Sequence, residues 1–454
     1  MCNENKENKL IDDILDTFES EKFDGAVAEL KTAAENGDDE AQHRLALCYL
    51  YGDDIEQDDA LAAEWFAKAA AQGNAYAQHD LAMCYYFGTG VARDYAKAFS
   101  WFAESAENGD IWAVYRLGIC CWEGKGTEQN KSKALEYFMK AAEQGQFQAM
   151  YELGCRYEKG EEVVLDLATA ANYFEKAAEM NYAPAQYRLA KMYDEANGVE
   201  RNFEKAVNLY RAAAEQGYPP AQNDYGWCFV VGKSVKRDFY EAVRWFRRAA
   251  KQGNMRAQYN LAMCYEEGHG ISVNPEKAFE WHLKAAEQGD DRAQLHVGWS
   301  YQVGNGVKPD GKQAVKWLKM SAEQGNAQAM SDVGYCYFNG IGGKKNRQEA
   351  LKWYFKAAEN GNLMAMFNIA CAYRHGHGVK KDKLKAVEWY EKAAALGETD
   401  SMLSIAYMYE HGEGVGKDLY KAYEWYKKAE QSGEEGAEYF LSKKKFAKIK
   451  EENK

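Results

Sequence analysis

Apolar and polar positions in this chain recur in a pattern 36 residues long. Between Ala77 and Trp112, Ala77, Leu81, Ala82, Cys84 and Tyr85 fall on one face at helical spacing. Gly88 and Gly90 follow, two residues able to take positive φ in a tight break. Asp94 then stands where a side-chain oxygen would cap a second helix. That helix carries Lys97, Ala98, Trp101, Phe102 and Ala106 and stops at Gly109, a C-terminal capping glycine. The spacing predicts a helix–turn–helix unit with one apolar face on each helix.

The unit occurs eleven times without insertion or deletion. Its opening residues are Ala41, Ala77, Ala113, Ala149, Ala185, Ala221, Ala257, Ala293, Ala329, Ala365 and Ser401, and Ala437 opens a truncated twelfth. A fixed period of about 20–50 residues marks a solenoid, in which each unit buries its apolar face against its neighbours. The expected fold is all-α, an α-solenoid. Residues 1–40 are expected to hold N-terminal helices and an incomplete opening repeat, in which Ala26, Ala33, Ala34 and Gly37 match the second helix. The eleven repeats fill 41–436. Residues 437–454 are expected to form a capping helix, where Tyr439, Phe440 and Leu441 precede a lysine-rich end that suits a solvated face.

The repeat sorts most of the conspicuous residues into structure. Cys48, Cys84, Cys120, Cys228, Cys264 and Cys336 share the position seven past the opening residue. Neighbours in phase would lie about 8–10 Å apart, beyond the roughly 7 Å that a disulfide allows between Cα atoms, so they are expected as small buried apolar residues. The position five past the opening residue is always glycine or alanine, which implies close approach of the partner helix. Tryptophan occupies the Trp101 position in eight copies, from Trp65 to Trp425, and is expected to be buried between helix pairs rather than to stack on a cofactor. The Gly-x-Gly turns lack the preceding strand of a phosphate loop. Pro184, Pro219, Pro220, Pro275 and Pro309 each sit near an expected helix start, where a missing N–H costs little.

Composition narrows the function further. A net charge of −13 opposes binding to phosphate backbones. No stretch approaches the roughly 20 apolar residues of a membrane helix, and the first nine residues are polar with no apolar run behind them. The expectation is a cytoplasmic protein with no nucleic-acid partner and no membrane insertion, non-classical secretion remaining open. Nothing in the chain demands more than a monomer.

The motif Ala-Gln-x-x-Leu-Ala/Gly-x-x-Tyr, Gly-x-Gly-Val, Lys-Ala-x-x-Trp-Tyr/Phe-x-Lys-Ala-Ala-x-x-Gly, clean in 329–364 and 365–400, resembles the Sel-one-like repeat family, relatives of the tetratricopeptides. The resemblance covers about residues 23–441. It implies a right-handed superhelix whose members act mainly as adaptors and scaffolds. A cysteine-rich secreted branch, which pairs two cysteines per repeat, is reported to bind or cleave β-lactams. This chain has mostly one cysteine per repeat, so that branch fits poorly.

Function is therefore sought where the copies differ. On a helical wheel the repeat-fixed positions of the first helix cover one arc. The opposite arc holds the positions one before and two, six, nine and ten after the opening residue. The sixth-after position reads Leu47, Met83, Ile119, Cys155, Lys191, Trp227, Met263, Trp299, Tyr335, Cys371 and Tyr407. Trp112, Tyr115 and Trp122 in the third copy, with Tyr86, Tyr259, Phe338 and Phe367, extend the stripe, and Glu158, Asp194, Glu266, Arg374 and Glu410 intersperse charge. The family resemblance implies that such positions line a concave, peptide-holding groove. Burial between neighbouring first helices is the competing reading, and it is the stronger one at the second-after position. The residues singled out for protein binding are Trp112, Tyr115, Ile119, Trp122, Lys191, Trp227, Met263, Trp299, Tyr335, Phe338, Arg374 and Tyr407. Apolar anchors with charged neighbours suit a protein or peptide partner.

Catalytic chemistry is not expected, nor a cofactor or metal. The acidic turn Asp53, Asp54, Glu56, Asp58 and Asp59 lacks the glycine and spacing of a calcium loop. His375, His377 and His411, near Glu410 and Glu413, would have to converge to hold zinc, and read better as solvated loop residues. A β-lactam hydrolase and a metal-responsive regulator are the alternatives to a scaffold. Residues 113–235 break the pattern most: Tyr137, Tyr173 and Leu209 replace the tryptophan, Glu162 and Ser234 a turn glycine, and Asn181 the capping glycine. Looser packing is expected there.

Overall fold

The structure is a computed structural model that describes residues 26–446 and Ile449; the expectations for residues 1–25 and for most of 447–454 lie outside the described residues. Among the described residues the chain forms 24 α-helices and one short 3-10 turn, with no strand. A helix over Ala26–Glu35 stands where the incomplete opening repeat was expected. Each complete repeat is a pair of 13-residue helices, such as Ala75–Phe87 with Tyr95–Glu107 and Met255–Glu267 with Pro275–Glu287. The cap begins as Gly436–Leu441 and passes into the turn Lys444–Phe446. The chain divides into two compact units, 1–213 and 214–454, and the division falls inside the irregular stretch 113–235. Within each unit a helix packs on the helices before and after it in the chain.

The helix ends follow the capping chemistry read from the sequence. Asp94 accepts from the backbone N–H groups of Ala96 and Lys97 at 3.1 and 3.0 Å, and Asn74 accepts from Ala77 at 3.0 Å. Pro184, Pro219, Pro220 and Pro275 occupy the first helical turn. Pro309 does not: it precedes Asp310, the residue that caps Gly311–Glu323. The first turn glycine, as in Gly88, ends its helix at φ 82°. The second, as in Gly90, is also required by space. A Cβ there would collide with the Asp59 carbonyl at the start of the preceding copy's second helix. In copies four and six, Glu162 and Ser234 take that backbone conformation at φ 60° and 48° without being glycine.

Two contacts recur along the array. The first is the fit behind the invariant small residue of the first helix. The second-helix residue after the tryptophan position fills it, and Phe66, Phe102, Phe138, Phe174, Phe246, Leu318 and Tyr390 are all fully buried there. The tryptophans are therefore not the buried wedge expected of them. Trp245 and Trp317 are buried, but Trp65, Trp101, Trp281, Trp353, Trp389 and Trp425 are only half-buried. Five of these six rings are capped by the cation three residues on, as with Lys68 over Trp65 at 3.5 Å and Lys428 over Trp425 at 4.2 Å, while Trp101 is followed there by Glu104. The second contact is polar. The glutamine after the opening residue donates to a last-turn carbonyl of the previous second helix, as Gln78 does to Ala70 at 3.2 Å and Gln258 to Ala250 at 3.2 Å. Buried helix ends thus keep partners for their carbonyls. Where methionine replaces this glutamine, in Met150, Met330, Met366 and Met402, the position stays buried by apolar packing.

The cysteines behave as small core residues. All nine within the described residues are free thiols. Burial pushes the Cys84 thiol up to about 12, the Asp80 and Asp59 carboxylates adding to the effect, which removes it from thiolate chemistry at neutral pH.

Candidate functional site

The first helices from Pro219–Val231 to Thr399–His411 bring an aromatic row to the surface of the second unit. Helix geometry turns the sixth-after position away from the wedge. Val297, at the fourth-after position, is wholly buried, while Trp299 two residues beyond it faces solvent. Trp227 is 49 % exposed, Trp299 41 %, Tyr335 48 % and Tyr407 38 %, and all four occupy the sixth-after position of copies six, eight, nine and eleven. Met263 and Cys371, at the same position in copies seven and ten, are half-buried. Packing within the repeat does not require side chains of this size at this exposure.

The row is wider than the sequence reading had it. Val231 and Val303, exposed by 50 % and 51 %, stand four residues after Trp227 and Trp299, one helical turn along the same face. The ten-after row held this signal, but valine stands out less than tryptophan. Tyr76 and Met364, both exposed, occupy the one-before row. Phe338 lies beside Tyr335 in a shallow depression of about 160 Å³ lined also by Arg347, Leu351, Cys371 and His377.

In the third copy, Trp112, Tyr115, Ile119 and Trp122 are each half-buried rather than open. Tyr115, Ile119 and Trp122 pack on the core shared by copies three to five. Trp112 meets Phe147 edge-on at 6.1 Å, and the Arg156 guanidinium covers the Trp122 ring at 3.9 Å. The reason is local. Phe147 and Arg156 in the next first helix are large enough to cover these rings, whereas Trp227 and Trp299 have no such cover.

The charged residues of the stripe are mostly engaged. Lys191 pairs with Glu195 at 3.2 Å. Arg374 sits 4.9 Å from the centre of the Tyr407 ring and pairs with Glu413 at 3.3 Å. Glu410 is not an exposed selector. It is buried, bonded to the Tyr426 hydroxyl at 3.0 Å and paired with Lys445 of the cap. Burial pushes its carboxyl up, but those two partners more than offset this and leave it below the usual range. Asp332 is the opposite case. Burial raises its carboxyl to about 6, with only the Gln328 amide, at 3.0 Å, working against it.

The loop histidines form no metal-sized group. His375 and His377 stack at 5.5 Å, while His411 lies over the Tyr407 ring at 4.0 Å and faces its carbonyl oxygen at 2.9 Å. Asp58 of the acidic turn is an N-cap, accepting from Ala60 and Leu61 at 3.0 Å each.

Helix pairs repeating in this way define an α-solenoid repeat scaffold. The Sel1 repeat model matches eleven segments, beginning with 39–74 and 75–110 and ending with 363–398 and 399–434. The chain belongs to the Sel1 repeat family. Among solved structures it is similar to a protective antigen of uropathogenic Escherichia coli strains that displays an SLR fold, with 33 % identity over 92 % of this chain and 91 % of that one and a TM-score of 0.78. A Sel1 repeat protein of Oxalobacter formigenes is 32 % identical over 66 % of this chain and 87 % of its own, with a TM-score of 0.49. Cysteine-rich protein B of Helicobacter pylori aligns with 29 % of this chain and 96 % of its own at 28 % identity, with a TM-score of 0.24. No curated protein matches the chain significantly in sequence.

Proposed function

We propose that this protein is a non-catalytic adaptor that holds a segment of a protein partner on the exposed row of its first helices in the second unit. The observation that supports this is the register of Trp227, Trp299, Tyr335 and Tyr407, four exposed aromatic side chains at one repeat position. Large aromatic groups supply binding energy at little cost in side-chain entropy, and their repetition suits an extended or helical segment that reads several copies at once. The free thiols suit a reducing compartment, which supports a cytoplasmic location for such an adaptor.

A photo-crosslinking amino acid placed at Trp299 tests the reading, with the exposed Tyr240 of a second helix as the control position. The expected result is a discrete set of protein adducts from position 299, diminished by Trp227→Ala, and none of them from position 240. The same adducts from both positions, or a set that Trp227→Ala leaves unchanged, would overturn it. Turnover of a chromogenic β-lactam by the purified chain would overturn the non-catalytic part.

A further inference from the structure

The buried wedge of the second helix is aromatic or aliphatic in ten of eleven copies: Phe66, Phe102, Phe138, Phe174, Tyr210, Phe246, Leu318, Tyr354, Tyr390 and Tyr426. In copy seven it is His282, only 2 % exposed. Packing alone does not call for an imidazole where phenylalanine fits, and burying one is costly unless both nitrogens are satisfied. Its Nδ1 has no hydrogen-bond partner.

Its Nε2 lies 3.3 Å from Oε2 of Glu266, on the first helix of the same copy. A wedge-to-carboxylate pair is not itself unusual here, since Tyr426 bonds to Glu410 with the same sequence separation. What sets copy seven apart is a third group. His296, on the first helix of copy eight, brings Nδ1 to 3.3 Å from the same Glu266 oxygen. No other copy has histidine at that position, which elsewhere reads Arg44, Asp80, Arg116, Glu152, Arg188, Asp224, Asn260, Asp332, Asn368 and Ser404. One ligand atom from each of Glu266, His282 and His296 falls within 4.8 Å of the others.

We propose that Glu266, His282 and His296 form a binding site for a divalent transition-metal ion of the zinc type. The distances carry the argument. Zinc bonds of about 2.0–2.1 Å in a tetrahedron set neighbouring ligand atoms about 3.3–3.4 Å apart. Glu266 Oε2 is 3.3 Å from each nitrogen. A closed histidine–carboxylate hydrogen bond in this chain is much shorter, 2.7 Å for both His43 with Asp80 and His79 with Asp110. The two rings of the site lie parallel, 9° apart with centres at 4.5 Å. His282 is held by packing and by the Tyr259 ring, so it is His296, a quarter exposed and also edge-on to Tyr259, that would turn out of the parallel stack to aim its nitrogen at the ion. Two imidazoles and one carboxylate select a borderline metal over calcium or magnesium, which prefer all-oxygen sites. Three protein ligands leave a fourth position for water. The site joins three consecutive helices, Met255–Glu267, Pro275–Glu287 and Asp291–Val303, so an ion there staples copy seven to copy eight.

The test is titration of the tag-free, reduced full-length chain with zinc chloride by calorimetry, and with cobalt(II) by visible absorption. One saturable site is expected, with the ligand-field bands of a four-coordinate nitrogen–oxygen site and no thiolate charge-transfer band. His282→Phe, which restores the residue of copy six, and His296→Asn, which restores that of copy seven, should each weaken binding on the order of a hundredfold or more. Should His282→Phe fail to fold, His296→Asn at the partly exposed position still decides. No saturable site near one equivalent, affinity unchanged in both variants, or a thiolate band that reports cysteine ligation would each overturn the assignment.

Discussion

Phe138 stands where a side chain on Gly118 would have to go: a Cβ at Gly118 would lie 2.5 Å from the Phe138 ring. The ring is wholly buried, and it ties the two helices of copy three together. Phe138→Ala should destabilise the chain by about 3–5 kcal/mol, the usual cost of emptying a fully packed phenylalanine site. Gly118→Ala should cost less, about 1 kcal/mol, because overpacking of one methyl can be relieved by a small ring shift. The preceding copy shows such a seat, with Ala82 and Phe102 both wholly buried. Chemical unfolding followed by circular dichroism measures both. A Gly118→Ala cost equal to that of Phe138→Ala would contradict this account of the wedge.

Ala196 offers the reverse case. It ends the helix Ala183–Glu195 at φ 61°, the position that Gly88 and Gly232 fill in other copies. Left-handed backbone costs a residue with a Cβ about 1–2 kcal/mol relative to glycine. Ala196→Gly should therefore stabilise the chain, by about 0.5–1 kcal/mol once the greater freedom of glycine in the unfolded state is counted. A rise in melting temperature checks it, and a fall would show that the Ala196 methyl makes a contact worth more than the strain.

The repeats and most caps were legible in the sequence because each is a local matter of spacing and residue type, repeated often enough to average out noise. The role of Trp65 and its equivalents was not. Size suggests burial, but whether a ring faces the core or a neighbouring lysine depends on the angle between helices. The real wedge, Phe66 or Phe102, is a residue further on. The exposed row at Trp227 and Trp299 could be read from the helical wheel. Its absence from copy three depends on Phe147 and Arg156 of the following copy, a contact between repeats that no single-repeat pattern contains. The Glu266, His282 and His296 group escaped for the same reason. Each residue sits at an ordinary repeat position, and only packing of three helices brings them together.

Asp332 gives the chain a pH dependence of defined sign. Its carboxyl rises from the ordinary 3.8 to about 6, because burial disfavours the charged form. A carboxyl with a raised value in the folded state contributes stability that is complete below 3.8 and lost as pH climbs through about 6. Asp332→Asn removes the penalty while keeping an oxygen for the Gln328 amide. It should stabilise the chain at pH 7 by about 1–2 kcal/mol, allowing for partial solvent screening, and give no gain near pH 4. Melting curves across that interval are the check. A gain that does not change with pH would mean that charge is not its cause.

Trp227 and Trp299 should be separable from the other tryptophans by solvent access alone. They are the two exposed tryptophans among the described residues, the others being buried or half-buried. A neutral quencher such as acrylamide reaches a ring in proportion to its exposure, so the readily quenched part of the emission should come mainly from these two. Trp227→Phe with Trp299→Phe is expected to remove most of that fraction and to leave the unfolding midpoint within about 0.5 kcal/mol of the parent, as for surface substitutions generally. If quenching is unchanged, the row is covered in solution, by a second copy or by residues outside the described ones, and the surface offered to a partner must lie elsewhere. If the midpoint falls by several kcal/mol, the two rings are packing elements and the aromatic register reflects stability rather than binding.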